Sequence, residues 1–384
     1  MVSKKSLVRK FRKSLVMATM FLGINVLQAQ SFSDSIISYG MDVKLPSNKY
    51  VWGWSEAVLL KAILQKYEGC NNSAEKEHYL NYIKTAMDVN YSTANGNSPN
   101  DVASGLGMAY LARITKEEKY KQKAIEIYNQ YLHILKTKNG GISHRPDSEQ
   151  LWDDTIYMLE IYLFEMYKLT GDEKYLDDFV QQYTVHKSVL EDKKTGFWVH
   201  GWYDDQKEFV DSCCMVGWGK NPGRRSKEFW GRGNGWIMMA IVDALKTIPK
   251  SSPYWKVLKA DLIKRTANLP ALQDKKTGLW LQLPFHTEDK SNYLESSCTA
   301  MFGYSILEGI KLGILDKKTF MPIVDLAFKG LKNSTRVESK YIIPTRICDG
   351  TCVGDKEYYY HRRLIEGNDY GIGLFSMFAQ KYKK

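Results

Sequence analysis

The chain has 384 residues, 44% of them hydrophobic and 13% aromatic, with 25 Tyr and 10 Trp; this excludes a disordered chain and allows one large core with rings to spare. The formal net charge of +11 counts six basic residues within the first 29, and without them it is +5. That surplus is too thin for a nucleic-acid face, which needs Lys and Arg clustered together. Six cysteines over this length specify neither a disulfide scaffold nor a metal site. Cys348 and Cys352 are read either as a bridge or as buried thiols.

In chain order, residues 1–29 come first. Lys4, Lys5, Arg9, Lys10, Arg12 and Lys13 precede an apolar run from Leu15 to Leu27, which ends at a small-residue site closing on Ala29. This is the pattern of a secretory signal peptide, and the run is too short to span a bilayer. The expectation is an exported soluble protein, periplasmic or secreted, with a membrane anchor as the weaker alternative. No Cys follows the run, which argues against lipid attachment. Residues 30–384 contain no Pro/Gly/Ser-rich linker, so one domain is expected over them.

Helices that are apolar nearly all round then alternate with striped ones. The first kind is expected near residues 52–67, 101–114, 154–169, 232–247, 293–312 and 367–382, and such helices are buried inside. The second kind is expected near 75–90, 117–136, 172–187, 253–270 and 317–332. The joint between them repeats at an offset of 55 residues: Tyr110-Leu-Ala-Arg-Ile-Thr-Lys-Glu-Glu-Lys-Tyr120 aligns with Glu165-Met-Tyr-Lys-Leu-Thr-Gly-Asp-Glu-Lys-Tyr175. Leu312-Gly-Ile-Leu-Asp316 is a weaker echo. Six inner helices suggest a closed toroid, an all-α (α/α)6 barrel of helical hairpins. An open tetratricopeptide-type solenoid would need a fixed 34-residue period, which is not present.

The connections repeat as well. Asp192-Lys-Lys-Thr-Gly-Phe-Trp198 matches Asp274-Lys-Lys-Thr-Gly-Leu-Trp280, with a looser copy at Asn139-Gly-Gly-Ile142. Gly followed by alternating aromatic and polar residues implies a turn and a short strand, so these loops are expected to pair as small sheets along one wall of a cleft.

In a ring of hairpins every inner helix runs the same way, so all inner-helix starts open at one end. Trp52 and Trp54, Asn100 and Asp101, Trp152 to Asp154, Trp230 to Trp236, and Asn292 to Glu295 fall there. His144, Arg145 and His200 to Tyr203 lie on the connections feeding the same end. Rings that stack on sugar faces, with a few polar groups to hold hydroxyls, are the usual chemistry of a carbohydrate site. Glycoside chemistry needs carboxyls, and Asp101 and Asp154 occupy matching corners of neighbouring repeats. An Asp at a helix start is also the commonest kind of cap. Arg232 is read either as a grip on a substrate carboxylate or as a buried partner of Asp101 or Asp154. His144 and His200, like Trp54, Trp230 and Trp236, are read either as sugar contacts or as packing residues. No metal or other cofactor is called for, and the protein is expected to be a monomer or a weak homo-oligomer that binds neither nucleic acid nor membrane.

Trp152-Asp153-Asp154-Thr155-Ile-Tyr-Met158, His200-Gly-Trp202, Phe229-Trp-Gly-Arg-Gly-Asn-Gly-Trp236 and Asn292-Tyr-Leu-Glu-Ser-Ser297 occur in that order. Together they resemble the unsaturated rhamnogalacturonyl hydrolases, glycoside hydrolase family 105, relatives of the unsaturated glucuronyl hydrolases. The likeness runs from about Trp52 to Asp369-Tyr-Gly-Ile-Gly373. It implies a six-hairpin barrel that removes a terminal 4,5-unsaturated uronate from lyase-cut oligosaccharides, with Asp154 as general acid and Asp101 as its partner. It also implies that His144, Arg145, His200, Trp230, Arg232 and Trp236 hold the sugar. For that chemistry Asp154 is expected to stay protonated near neutral pH, burial and repulsion from Asp101 outweighing the helix dipole. The alternatives are an unsaturated glucuronyl hydrolase acting on ulvan or glycosaminoglycan fragments, a hydrolase of saturated sugars on the same barrel, and a non-enzymatic carbohydrate-binding helical protein.

Overall fold

The computed structural model describes residues 32–204 and 222–382; the leader assigned to residues 1–29 lies outside them. Six helices form the inner ring: α2 (Trp54–Gly69), α4 (Pro99–Thr115), α6 (Asp154–Thr170), α8 (Gly231–Thr247), α10 (Ser296–Lys311) and α12 (Asp369–Lys381). Each packs on the next, and α12 packs back on α2, so the ring is closed. Around it lie α3 (Ser73–Asp88), α5 (Glu118–Tyr131), α7 (Lys174–Leu190), α9 (Pro253–Thr266) and α11 (Lys317–Asn333). This is the (α/α)6 barrel read from the alternation of apolar and striped helices.

The sequence reading found five outer helices; the sixth is α1, residues 32–39, prolonged by a π turn at Gly40–Lys44. Phe32, Ile36, Ile37 and Met41 form its buried stripe. They follow the apolar leader run so closely that periodicity does not separate the two.

Local chemistry sets the helix ends. Ser98 caps α4, accepting from the Asp101 amide, and Pro99 takes the first helical position, where no amide is missed. The two copies of the 55-residue repeat end alike: Lys116 (φ 62°) and Gly171 (φ 73°) are both left-handed residues closing α4 and α6.

The connections carry four two-stranded antiparallel sheets. They are β1 (Gln150–Trp152) with β2 (Gly201–Tyr203), β3 (Trp280–Leu281) with β4 (Leu294–Glu295), β5 (Thr335–Glu338) with β6 (Tyr341–Pro344), and β7 (Ile347–Cys348) with β8 (Leu364–Ile365). The Asp-Lys-Lys-Thr-Gly repeat is one turn used twice. Asp192 and Asp274 each accept from the amide and hydroxyl of the Thr three residues on, and Gly196 and Gly278 take the left-handed conformation. Among the described residues no helix is long and apolar enough to cross a membrane. The Cys348–Cys352 bridge does not form, since the Cys348 thiol is free, buried, and bonded to the Gln282 side-chain amide.

Ring closure depends on one close approach of backbones. A side chain at Gly373 of α12 would start 2.6 Å from the Val58 carbonyl of α2, so the seam admits no methyl group. Gly373→Ala is therefore expected to destabilise the protein by about 1–3 kcal/mol through overpacking, read as a lower denaturant midpoint; an unchanged midpoint would show that the seam can yield.

Candidate active site

The inner-helix starts open on a cavity of about 500 Å³, lined by Trp54, Asp101, His144, Arg145, Trp152, Asp154 and Met158, with Gly350 and Thr351 from the loop after β7. Asp101 and Asp154 thus face one space. Neither caps its helix: Asp101 accepts a hydrogen bond from the Ser98 hydroxyl (2.6 Å), and Asp154, first residue of α6, accepts from His200 (3.0 Å).

The β1–β2 ladder brings His200 to Asp154. Trp152 pairs with Gly201, and the Asp153 amide donates to the His200 carbonyl (3.0 Å), which sets the imidazole beside the first turn of α6. Its protonation pattern follows from its partners. Nε2 faces the Asp154 carboxylate, which when ionised can only accept, so a neutral His200 leaves Nδ1 to accept from the Tyr359 hydroxyl 2.8 Å away. The imidazole proton therefore sits on Nε2, aimed at Asp154 Oδ2. A neutral donor against a carboxylate is a charge-assisted bond, stabilising by about 1.5–3 kcal/mol.

The electrostatics differ from the sequence expectation. Burial, the largest single influence, presses Asp154 upward, but the hydrogen bond from His200 together with the charge interactions with His200 and His144 and a contact from Asp153 holds the carboxyl down at about 2. Asp154 is therefore ionised in the free protein, and the carboxyl raised well above its ordinary range is Asp153. Burial raises Asp153 and the adjacent Asp154 charge adds to it, against a weaker pull from Arg265. Burial lowers both His200 and His144, the latter to about 4, so both rings are neutral at neutral pH. The missing information was His200: its proximity to Asp154 is a sheet register, invisible 46 residues away in sequence.

Trp54, His144 and Arg145 line the cavity as expected, whereas His200, Trp230, Arg232 and Trp236 are enclosed behind it. His144 lies flat on Trp152 (4.5 Å between centroids) and bonds the Thr155 hydroxyl through Nδ1. Trp54 stacks on Tyr370 (4.8 Å) and meets the Trp236 edge (6.3 Å), while Trp236 stacks on Tyr157. Trp230 stacks on His200 at 4.4 Å.

Arg232 is held between the Trp230 and Tyr370 faces and donates to the carbonyls of Cys348 and Asp349 and to the Thr351 hydroxyl. No ion pair joins it to Asp101 or Asp154 among the described residues. Its work is to hold the loop after β7 against the barrel, where that loop supplies Gly350 and Thr351 to the cavity wall. Tyr359 and this loop carry no motif that singles them out in sequence. Trp152, by contrast, stood in the motif that contains Asp154.

Asp153, Asp154 and His200 bring three potential ligand atoms within 4.8 Å of one another. His200 Nε2 is bonded to Asp154 Oδ2 at 3.0 Å, so these side chains form a hydrogen-bonded cluster at the start of α6.

A family model described as Glycosyl Hydrolase Family 88 matches residues 30–384. The unsaturated rhamnogalacturonyl hydrolase YesR of Bacillus subtilis (strain 168) is 27% identical over 342 residues, which is 85% of this chain and 88% of that protein. A family 105 glycoside hydrolase from C. acetobutylicum ATCC 824 superposes with a TM-score of 0.77 at 26% identity, covering 92% of this chain and 98% of its own. The unsaturated glucuronyl hydrolase of Bacillus sp. GL1 shares the fold at 13% identity, with a TM-score of 0.68 over 94% of this chain and 97% of its own.

If His200 holds the Asp154 anion, His200→Phe leaves burial opposed only by the weaker influences of His144 and Asp153. The Asp154 carboxyl is then expected to rise from about 2 past its ordinary 3.8, as followed by carbon NMR of the labelled carboxyl. A value that stays low would remove His200 from this role.

Proposed function

As the chain belongs to Glycosyl Hydrolase Family 88, we propose that it removes the terminal 4,5-unsaturated uronate from lyase-generated oligosaccharides, most specifically unsaturated galacturonyl-rhamnose from rhamnogalacturonan. Residues 30–384 act as one catalytic domain, and the leader reading of residues 1–29 adds export to the periplasm or beyond. The observation that carries the reading is Asp154: it is braced from behind by His200 and faces a cavity walled by Trp54, His144 and Trp152.

The substrate's own chemistry dictates the step. The ring oxygen donates into the C4=C5 bond and makes C4 electron-rich, so an acid protonates C4. Positive charge then develops on C5 and the ring oxygen. Water adds at C5 and gives up one proton to the Asp154 carboxylate, which restores the acid. The resulting hemiketal opens and releases the remaining saccharide. No displacement occurs at the anomeric carbon, so the carboxyl spacings of retaining and inverting enzymes do not apply.

Asp154 is ionised in the free protein and must gain a proton before this step. The uronate brings its own carboxylate into a cavity that already holds Asp101 and Asp154. A further negative charge there raises the proton affinity of Asp154. Asp101, tied to Ser98, is placed to order the attacking water and share its proton. Trp54 supports a stacked sugar, and Arg145 and His144 offer polar contacts at the rim.

The second reading, an unsaturated glucuronyl hydrolase acting on ulvan or glycosaminoglycan fragments, keeps the same acid and changes only the leaving sugar. The 27% identity to a rhamnogalacturonyl hydrolase over most of both chains supports the first; the glucuronyl hydrolase neighbour, at 13% identity, supports the fold. A screen of lyase-generated disaccharides from pectin, ulvan and glycosaminoglycans separates them, because only hydration erases the ultraviolet absorbance of the conjugated double bond. A non-enzymatic sugar-binding role predicts binding with the absorbance intact.

Asp154→Asn is expected to lower turnover by at least roughly 10²–10⁴-fold while the thermal transition stays near that of the parent. In heavy water the released keto acid is expected to carry deuterium at C4. Normal turnover by the variant, or a product without deuterium there, overturns the assignment.

A further inference from the structure

Beside Asp154 stands a second carboxyl that the mechanism so far leaves unused. Asp153 is fully enclosed, and among the described residues neither of its oxygens has a partner within hydrogen-bond distance. The space it occupies is made for it: a side chain at Gly233 of α8 would begin 2.2 Å from Asp153 Oδ2, so only glycine there admits the carboxyl. Its Oδ1 lies 3.9 Å from His200 Nε2, the nitrogen whose proton goes to Asp154.

An ionised carboxylate in that position would have no side-chain donor within hydrogen-bond distance among the described residues and only a weak lowering influence from the Asp154 backbone, at a cost that proteins avoid by protonating the group. The charged and titratable groups around it agree. From α6 Asp154 repels a charge, and from the connection before β2 a neutral His200 turns its N–H elsewhere. From the turn at Lys356–Tyr360 a protonated Tyr359 faces it, and from α9 Arg265 alone attracts. Arg265 reaches Asn234 through Nη1; among the described residues its Nε and Nη2 have no hydrogen-bond partner, and it makes no ion pair with Asp153. Arg232, next to Gly233, is turned to the loop after β7.

We propose that Asp153 is a positioning residue for proton delivery: its buried carboxyl keeps one proton inside the Asp153–Asp154–His200 cluster, so the substrate meets an acid pair already carrying the proton that C4 requires. This rests on the reading of Asp154 as the acid. In the free protein the proton is on Asp153 and the charge on Asp154. A substrate carboxylate entering the cavity lies nearer Asp154 than Asp153. It therefore favours the reverse arrangement, with the proton on Asp154 and the charge displaced one layer inward. The atoms balance without a further reactant: Asp154 gives the proton to C4, water supplies oxygen to C5 and a proton back to the pair, and the cluster ends as it began.

The sign of the pH effect follows. Activity requires the proton on the pair and fails as pH rises through the pair's apparent value, which Asp153 raises. In Asp153→Asn only Asp154 titrates, so the alkaline limb of kcat/KM is expected to move to lower pH by more than about one unit, with at least a tenfold loss at neutral pH. Asp153→Val, which also lacks a proton but fits an apolar pocket, is expected to give the same acid shift. Asp153→Glu is expected to restore part of the alkaline limb.

A substrate-free measurement keeps this separate from the assignment of the reaction itself. Infrared difference spectra of parent minus Asp153→Asn and parent minus Asp153→Val, in which the unchanged band of Glu160 cancels, are expected to show a protonated carboxyl band at neutral pH. No such band in either difference spectrum, or a loss of activity in both variants with no change in the shape of the pH profile, overturns the proposal. If hydration at C4 fails in the parent while the band is present, the reaction assignment falls and the buried proton stands.

Discussion

Everything at the active mouth depends on six inner helices running the same way around a ring that closes. Closure is a backbone contact: α12 lies against α2 so tightly that Gly373 has no room for a Cβ. Helices α2, α4, α6 and α8 consequently start on one rim, and the first-turn residues Trp54, Asp101, Asp154 and Arg232 are brought near one another although up to 178 residues separate them. Parallel helix starts also gather partial positive charge, which suits a site for an anionic sugar.

The opposite end of the ring is held by charge instead of rings. Lys61 pairs with Asp243 (2.6 Å) and Glu160 (3.4 Å), and Lys246 bridges Asp243 and Glu308. These join α2, α6, α8 and α10 across the interior. Such pairs recover little net stability once desolvation is counted, but a missing partner would leave an uncompensated buried charge. Burial raises Glu160 to about 8 against the pull of Lys61. The network ties helices together across the ring, from α2 to α6 and α8, as well as along it, from α8 to α10.

The site itself is layered. The cavity wall is Trp54, His144, Arg145, Trp152 and the two aspartates; behind it His200, Trp230, Arg232, Trp236 and Tyr359 hold that wall in place. Arg232 shows how a residue type can mislead. A guanidinium among tryptophans reads as a carboxylate grip, yet its two Nη groups donate to the carbonyls of Cys348 and Asp349. Anchoring a loop whose backbone would otherwise be unsatisfied is as good a use of those donors as binding a ligand.

The sequence by itself determined the alternation of buried and striped helices, the hairpin joint repeated at Thr115-Lys116 and Thr170-Gly171, the Asp-Lys-Lys-Thr-Gly turns, and the rim on which Asp101 and Asp154 stand. These are local: periodicity, caps and turn chemistry are written within a dozen residues. Only the tertiary structure decided which of two adjacent aspartates carries charge, because that depends on burial and on His200, delivered by pairing β1 with β2. It likewise decided that Arg232 serves a loop and that residues 32–39 form the sixth outer helix, since both depend on contacts between segments far apart in the chain. Proton affinities and side-chain roles follow from who the neighbours are, and neighbours exist only once the ring has closed.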